Sequence, residues 1–133
     1  MGMGKRILII EDNAQNLYLV KYMLERAGHT VLSAADGAEG VRIAEAELPD
    51  LILLDIQLPG MDGHAVARLL RSHPALDRTP IIAVTSYAMP GDREKAIAAG
   101  CDGYIEKPID PERFVASVEA GMAIGRKGGG GDA

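Results

Sequence analysis

After a few residues the chain enters an apolar run with no alternation of polar and apolar positions, Arg6-Ile7-Leu8-Ile9-Ile10. Leu51-Ile52-Leu53-Leu54 and Ile81-Ile82-Ala83-Val84 repeat the pattern. Short runs of this kind fit strands covered on both faces, as in a parallel sheet. Periodicity alone also allows a helix fragment, but each run is short, and polar residues or Gly and Pro follow it. Thr30 to Ala34 and Gly103 to Glu106 are weaker strand candidates.

Helical patterns lie between these runs. Leu17, Val20, Leu24 and Ala27 share one face, with Asn13 placed as N-cap and Gly28 as C-cap. Gly37 to Ala46 is rich in Ala and Glu, with Val41 and Ala44 on one side. Asp62 to Leu70 carries Val66, Leu69 and Leu70, and Asp92 to Ala99 stops at Gly100. Asp110 to Met122 has Asp110 as cap, Pro111 at the first helical position and a stripe of Phe114, Val115, Val118 and Met122. The order is a strand and a helix repeated five times, which predicts an α/β fold: a parallel sheet with helices on both faces. Connections are short and nothing is left over for a second domain. Residues 127–133 include four consecutive glycines and are expected to form a floppy tail.

Composition narrows the function classes. With 133 residues, 47% hydrophobic and 25% charged, the chain has the size and balance of one ordinary globular domain. A net charge of −5 disfavours a broad nucleic-acid surface. No apolar run approaches the roughly 20 residues that span a bilayer, so no membrane association is expected. Arg6 stands where a myristoylation signal opening on Met1-Gly2 would need Ser or Thr. A single cysteine, Cys101, fits a reducing cytoplasm, and we expect it to pack near the sheet. His29, His64 and His73 show no metal-ligand spacing and are expected at the surface.

Candidate chemistry sits at the strand ends. Ligands of open α/β sheets bind outside the carboxyl ends of the strands, at the point where strand order reverses. The first strand ends in Glu11-Asp12, the third in Asp55, the fourth in Thr85-Ser86 and the fifth in Lys107-Pro108. Three converging carboxylates repel one another, and a hard divalent cation such as Mg²⁺ resolves the conflict. Beside it Asp55 can act as a nucleophile on phosphorus, Lys107 can pair with the carboxylate and then with phosphoryl oxygens, and Thr85 can donate its hydroxyl. Each residue also has a plain structural reading. Asp55 can be a turn former, Glu11-Asp12-Asn13 a turn with an N-cap, Thr85 and Ser86 satisfied loop hydroxyls, and Lys107 a solvated charge. Singly the signals are weak; together, at one edge, they favour a site.

Four segments resemble the receiver domains of two-component signalling. They are Ile9-Ile10-Glu11-Asp12-Asn13, the stretch from Leu53-Leu54-Asp55 through Gln57 and Pro59-Gly60-Met61-Asp62-Gly63, Ala83-Val84-Thr85-Ser86-Tyr87-Ala88-Met89, and Ala99-Gly100-Cys101-Asp102 through Tyr104 to Lys107-Pro108. The resemblance covers about residues 5–123, with 1–4 and 124–133 as tails. It is nearer to stand-alone cell-cycle receivers and hybrid-kinase receivers than to DNA-binding regulators.

The resemblance implies a flavodoxin-like (βα)5 sheet of strand order 2-1-3-4-5, the order of flavodoxin and of a chemotaxis receiver. It implies Asp55 as phospho-acceptor, Glu11 and Asp12 as the acidic pair for Mg²⁺ (Mn²⁺ as a substitute), and the Gln57 carbonyl as a further metal ligand. Thr85 and Tyr104 would be the switch pair and Lys107 the phosphate-binding lysine. Gln57 and Tyr87 would flank the attacking water and tune dephosphorylation. A bulky Tyr87 would shield the acyl phosphate and lengthen its life, or equally pack against the surface or a partner; Tyr87→Ala should change the spontaneous dephosphorylation rate in the first case only. The Lys107-Pro108 bond is expected cis, an isomer only about 0.5–1 kcal/mol above trans for X-Pro. Implied partners are a histidine kinase or histidine phosphotransferase and a downstream protein, which would read the face made by Asp92 to Ala99, Gly103 to Glu106 and Asp110 to Met122.

Other classes fit less well. Aspartyl-phosphate hydrolases carry a second Asp two residues after the nucleophile, where this chain has Gln57. The P-loop pattern is missing, and the first turn lacks the glycines of a dinucleotide or flavin cradle. A phosphorylation-independent adaptor on the same fold stays open; it predicts that Asp55→Asn leaves partner binding unchanged.

Overall fold

The structure is a computed structural model that describes residues 4–58, 60, 62–86, 89–107 and 110–124, with the backbone alone at Pro111 and Ile124. Tyr87 and Pro108 lie outside the described residues, as do both outer tail segments.

Five strands and five helices alternate. The strands are β1 (Arg6–Ile10), β2 (Thr30–Ala34), β3 (Leu51–Asp55), β4 (Ile81–Thr85) and β5 (Gly103–Glu106). The helices are α1 (Ala14–Arg26), α2 (Gly37–Glu47), α3 (Gly63–Arg71), α4 (Asp92–Ala99) and α5 (Pro111–Ile124). All pairings are parallel, in the order β2-β1-β3-β4-β5. This is the expected flavodoxin-like sheet. A 3-10 turn at Pro74–Leu76, not expected from the sequence, lies within the connection from α3 to β4.

Alternate strand residues feed two separate cores. Ile7, Ile9, Leu51, Leu53, Ile82 and Val84 pack with Val20 and Leu24 of α1 and Phe114 and Val118 of α5. Leu8, Ile10, Ile52, Leu54, Ile81 and Ala83 pack on the other face with α2, α3 and α4. Both faces of the inner strands are therefore buried, which is why their sequences read as unbroken apolar runs. Each fully buried Leu or Ile contributes about 1.5–3 kcal/mol of transfer free energy.

Helix ends follow capping chemistry. Asn13, Asp36 and Asp62 cap α1, α2 and α3 by accepting from the backbone N–H of Asn16, Glu39 and His64. The Asp110 side chain accepts from Glu112 N–H at the start of α5. The first helix stops one residue earlier than expected: Ala27 is its C-cap, exposed and outside the apolar stripe, and Gly28 follows in the left-handed region at φ +98°. On α3 the buried stripe is Val66, Ala67 and Leu70, and Leu69 faces outward.

The histidines are not all at the surface. The side chain of His29 is 7% exposed. Its Nδ1 accepts from Lys5 N–H at 3.0 Å, and its Nε2 lies 2.7 Å from Glu119 of α5, so both ring nitrogens have partners that make burial tolerable. His64 is also largely covered, its Nδ1 3.2 Å from Asp62, because it sits in the first turn of α3 beneath its own cap. His73 is partly exposed and paired with Glu45 at 2.8 Å. Cys101 is buried against the sheet as expected.

Candidate phospho-acceptor site

The sheet reverses its order between β1 and β3, and the candidate residues gather at the carboxyl ends of these two strands. Oxygens of Glu11, Asp12 and Asp55 lie within 4.8 Å of one another. Asn13 does cap α1 and its N–H donates to Glu11 Oε2 at 3.2 Å, so the turn with an N-cap is present, and Glu11 and Asp12 face the cluster as well.

Asp55 is the last residue of β3 and is 5% exposed. Its Oδ1 accepts from Gln57 N–H at 2.8 Å, which fixes the carboxylate at the start of the loop. The loop then closes on itself, with Gly63 N–H donating to the Ile56 carbonyl at 3.1 Å. A Cβ on Gly63 would stand 2.4 Å from Ile56 Cα, so the closure requires glycine. The turn that the plain reading assigned to Asp55 is present, and the second carboxylate oxygen, Oδ2, lies 3.7 Å from Lys107 Nζ.

Lys107 is not a solvated charge. Its side chain is 10% exposed, its Nζ lies 3.0 Å from Glu11 Oε1 and 3.7 Å from Asp55 Oδ2. Its backbone N–H donates to the Thr85 carbonyl at 2.7 Å, extending the β4–β5 ladder so that lysine and threonine end side by side. Thr85 itself is 1% exposed. Burial, then contact with the Asp55 carboxylate, raises the pKa of Glu11, while Lys107 pulls it down. Three clustered carboxylates face the Lys107 ammonium, and a hard divalent cation fits this all-oxygen donor set.

Tyr104, in β5, is half-buried against the α4 side of the core, and its hydroxyl is buried without a hydrogen-bond partner among the described residues. Burial raises its phenol pKa, helped by the carboxylates of Asp92, Glu106 and Glu94. Two contacts were missed from the sequence. Gln57 Oε1 accepts from Ser86 N–H at 3.0 Å, joining the loops after β3 and β4. Arg71 reaches from the end of α3 to the Gly100 and Leu76 carbonyls and to Asp102. Neither contact had a local signal: the resemblance singles out Gln57 for its carbonyl and its place near the attacking water and not for a bond to Ser86, and Arg71 reads as a charge suited to a helix end.

Residues 7–119 match the response regulator receiver domain family, and the chain belongs to it. It is a receiver of two-component signalling, a signalling module and not a metabolic enzyme. Among particular relatives, the polar-differentiation response regulator DivK of Brucella anthropi is 39% identical over 118 residues, spanning 89% of this chain and 96% of that protein. DivK of Brucella ovis is equally similar. The receiver domain of the sensor histidine kinase PA1611 from Pseudomonas aeruginosa, solved with a magnesium ion in its active-site cleft, superposes with a TM-score of 0.83 at 37% identity, covering 90% of this chain and 98% of that one. The chemotaxis protein CheY4 of Vibrio cholerae superposes at 0.84 with 27% identity, covering 89% and 98%. No helix among the described residues is long and apolar enough to cross a membrane.

Proposed function

We propose that this chain acts as a stand-alone cytoplasmic phospho-acceptor, taking a phosphoryl group on Asp55 from a histidine kinase or histidine phosphotransferase. The observation that carries the reading is the buried Asp55 carboxylate, held at Oδ1 by Gln57 N–H and faced at Oδ2 by Lys107 Nζ, within the Glu11–Asp12–Asp55 cluster. Glu11, Asp12, Asp55 and the Gln57 carbonyl would hold Mg²⁺, or Mn²⁺, which shares its preference for oxygen donors. When bound, the cation neutralises charge on the carboxylates and on the phosphoryl oxygens.

An Asp55 carboxylate oxygen attacks phosphorus, the phosphorus–nitrogen bond of the donor phosphohistidine breaks, and its electron pair leaves with the imidazole. Burial of Asp55 keeps water from competing, and its fixed orientation lowers the entropy cost of attack. Lys107 moves its attraction from the carboxylates to the new phosphoryl oxygens. Thr85 donates its hydroxyl to them. Water later hydrolyses the acyl phosphate, at a rate that Gln57 and Tyr87 would tune.

The added charge of about −1.5 to −2 biases a two-state equilibrium. Tyr104 is suited to respond, because its buried hydroxyl has no hydrogen-bond partner among the described residues to hold the present rotamer. The changed surface is α4, β5 and α5, read by a downstream protein and not by nucleic acid.

The test is intact-protein mass spectrometry after incubation with acetyl phosphate. A single phosphoryl adduct should form with Mg²⁺ and be lost on chelation and in Asp55→Asn. Absence of the adduct with both acetyl phosphate and a phosphorylated histidine phosphotransferase would reject the reading and favour a phosphorylation-independent adaptor.

A further inference from the structure

Gln57 touches both sides of the candidate site. Its backbone N–H donates to Asp55 Oδ1 at 2.8 Å, and its side-chain Oε1 accepts from Ser86 N–H at 3.0 Å. Asp55 pairs in register with Val84, so Thr85 and Ser86 are the next positions on the neighbouring strand end. The Ser86 N–H is therefore a donor on the acceptor's own edge, turned toward the β3 side.

We propose that the Gln57 side chain is an internal stand-in for the phosphoryl group. Its amide oxygen holds the Ser86 N–H in the unphosphorylated chain, and an oxygen of the phosphoryl group on Asp55 displaces it. This deepens the proposed function and rests on Asp55 being the acceptor. No covalent bond to Gln57 forms or breaks; one hydrogen-bond acceptor replaces another. The exchange favours the phosphoryl oxygen, because a bond from N–H to a charged acceptor is roughly twice as strong as one to a neutral amide oxygen. Gln57 thereby acts as a positioning residue with two effects. It holds the Ser86 N–H before signalling, and it opposes loading by the strength of the bond that must be surrendered. When that bond is exchanged, the direct side-chain tie between the loops after β3 and β4 is released.

The test uses fluoroberyllate, a tetrahedral anionic phosphoryl analogue that attaches to a carboxylate oxygen, with Mg²⁺ on the full chain. Gln57→Ala and Gln57→Met both remove the amide oxygen; the methionine keeps the length of the stem, so a folding defect in one is controlled by the other. The half-saturating fluoroberyllate concentration should fall by about two- to twelvefold in both variants, the factor corresponding to a net hydrogen bond of about 0.5–1.5 kcal/mol. Amide hydrogen exchange read by NMR should be faster at Ser86 in the unloaded variants than in wild type, and equal to wild type once loaded. Wild-type half-saturation in both variants, or unchanged Ser86 exchange, would overturn the inference while leaving Asp55 as acceptor. Failure of folded wild type and variants alike to take fluoroberyllate at Asp55 would overturn both.

Discussion

Lys107 Nζ stands 3.0 Å from Glu11 Oε1, closer than its 3.7 Å to Asp55 Oδ2. The lysine is thus held in the resting chain chiefly by Glu11, which follows β1 at the same carboxyl edge of the sheet. Both side chains are nearly buried, so the pair is not screened as a surface pair would be. Removing the ammonium takes from the clustered carboxylates the cation that pairs with Glu11 and Asp55 among the described residues. Lys107→Ala should lower the stability of the metal-free chain by about 3–5 kcal/mol. Mg²⁺ should restore more stability to this variant than to wild type, because the cation then does the work of the missing ammonium. Thermal melts in chelator and in Mg²⁺ measure both effects; an equal Mg²⁺ response in the two proteins would contradict the account.

Gly63 is set by contact, not by dihedral freedom. A methyl group there would press on the Ile56 backbone at 2.4 Å, and backbone cannot rotate away. Gly63→Ala should cost about 1–3 kcal/mol in urea unfolding, as other overpacked sites do. Because Ile56 follows Asp55 directly, the same substitution should also slow adduct formation with acetyl phosphate. A fully stable variant with a slow adduct would place the effect in the loop alone.

The sheet was readable from the chain because parallel strands buried on both faces leave unbroken apolar runs, as at Ile7 to Ile10 and Leu51 to Leu54. The candidate site was readable because topology brings consecutive strand ends to one edge, so Glu11, Asp55, Thr85 and Lys107 needed no contact information to be grouped. The burial of His29 was not readable. It depends on Lys5 and Glu119 arriving from distant segments, and the local sequence between α1 and β2 carries no trace of either. The link from Gln57 to Ser86 was hidden for the same reason, since it spans two loops that only the sheet places side by side.

Arg71 shows how much such a long-range contact can carry. It donates to Gly100 O at 2.9 Å, Leu76 O at 2.8 Å and Asp102 Oδ2 at 2.7 Å, and Asp102 Oδ2 also accepts from Ile81 N–H at 2.9 Å. One carboxylate oxygen thereby ties α3 to the entry of both β4 and β5. Asp102→Ala removes the acceptor from a charged donor and a strand N–H together, and should destabilise the fold by about 2–3 kcal/mol. Arg71→Lys should cost a similar amount, since an ammonium is a point charge without the planar fork needed to reach three separated acceptors. Denaturant unfolding of the two single variants and the double variant measures the coupling. A double-variant loss equal to the sum of the singles would show that the pair acts as two independent contacts.

Cys101 lies between this arginine cluster and the sheet, and burial, outweighing the opposing pull of Arg71, pushes its thiol up to about 12 from an ordinary 9.0. The thiolate is the reactive form, so a thiol reagent at about pH 8 should leave the native chain unmodified and react at once when the chain is unfolded in urea. The same shift sets a pH dependence. A folded value above the unfolded one means that the native state keeps the proton longer, so its contribution to stability is fully present below the unfolded value of 9.0 and is lost as pH rises toward about 12. Cys101→Ala removes that titration and replaces it with a constant offset from lost packing. Wild-type stability should therefore fall more steeply with pH than that of Cys101→Ala across this alkaline window. Parallel curves for the two proteins would mean that the thiol titrates alike in both states and that burial does not hold its proton.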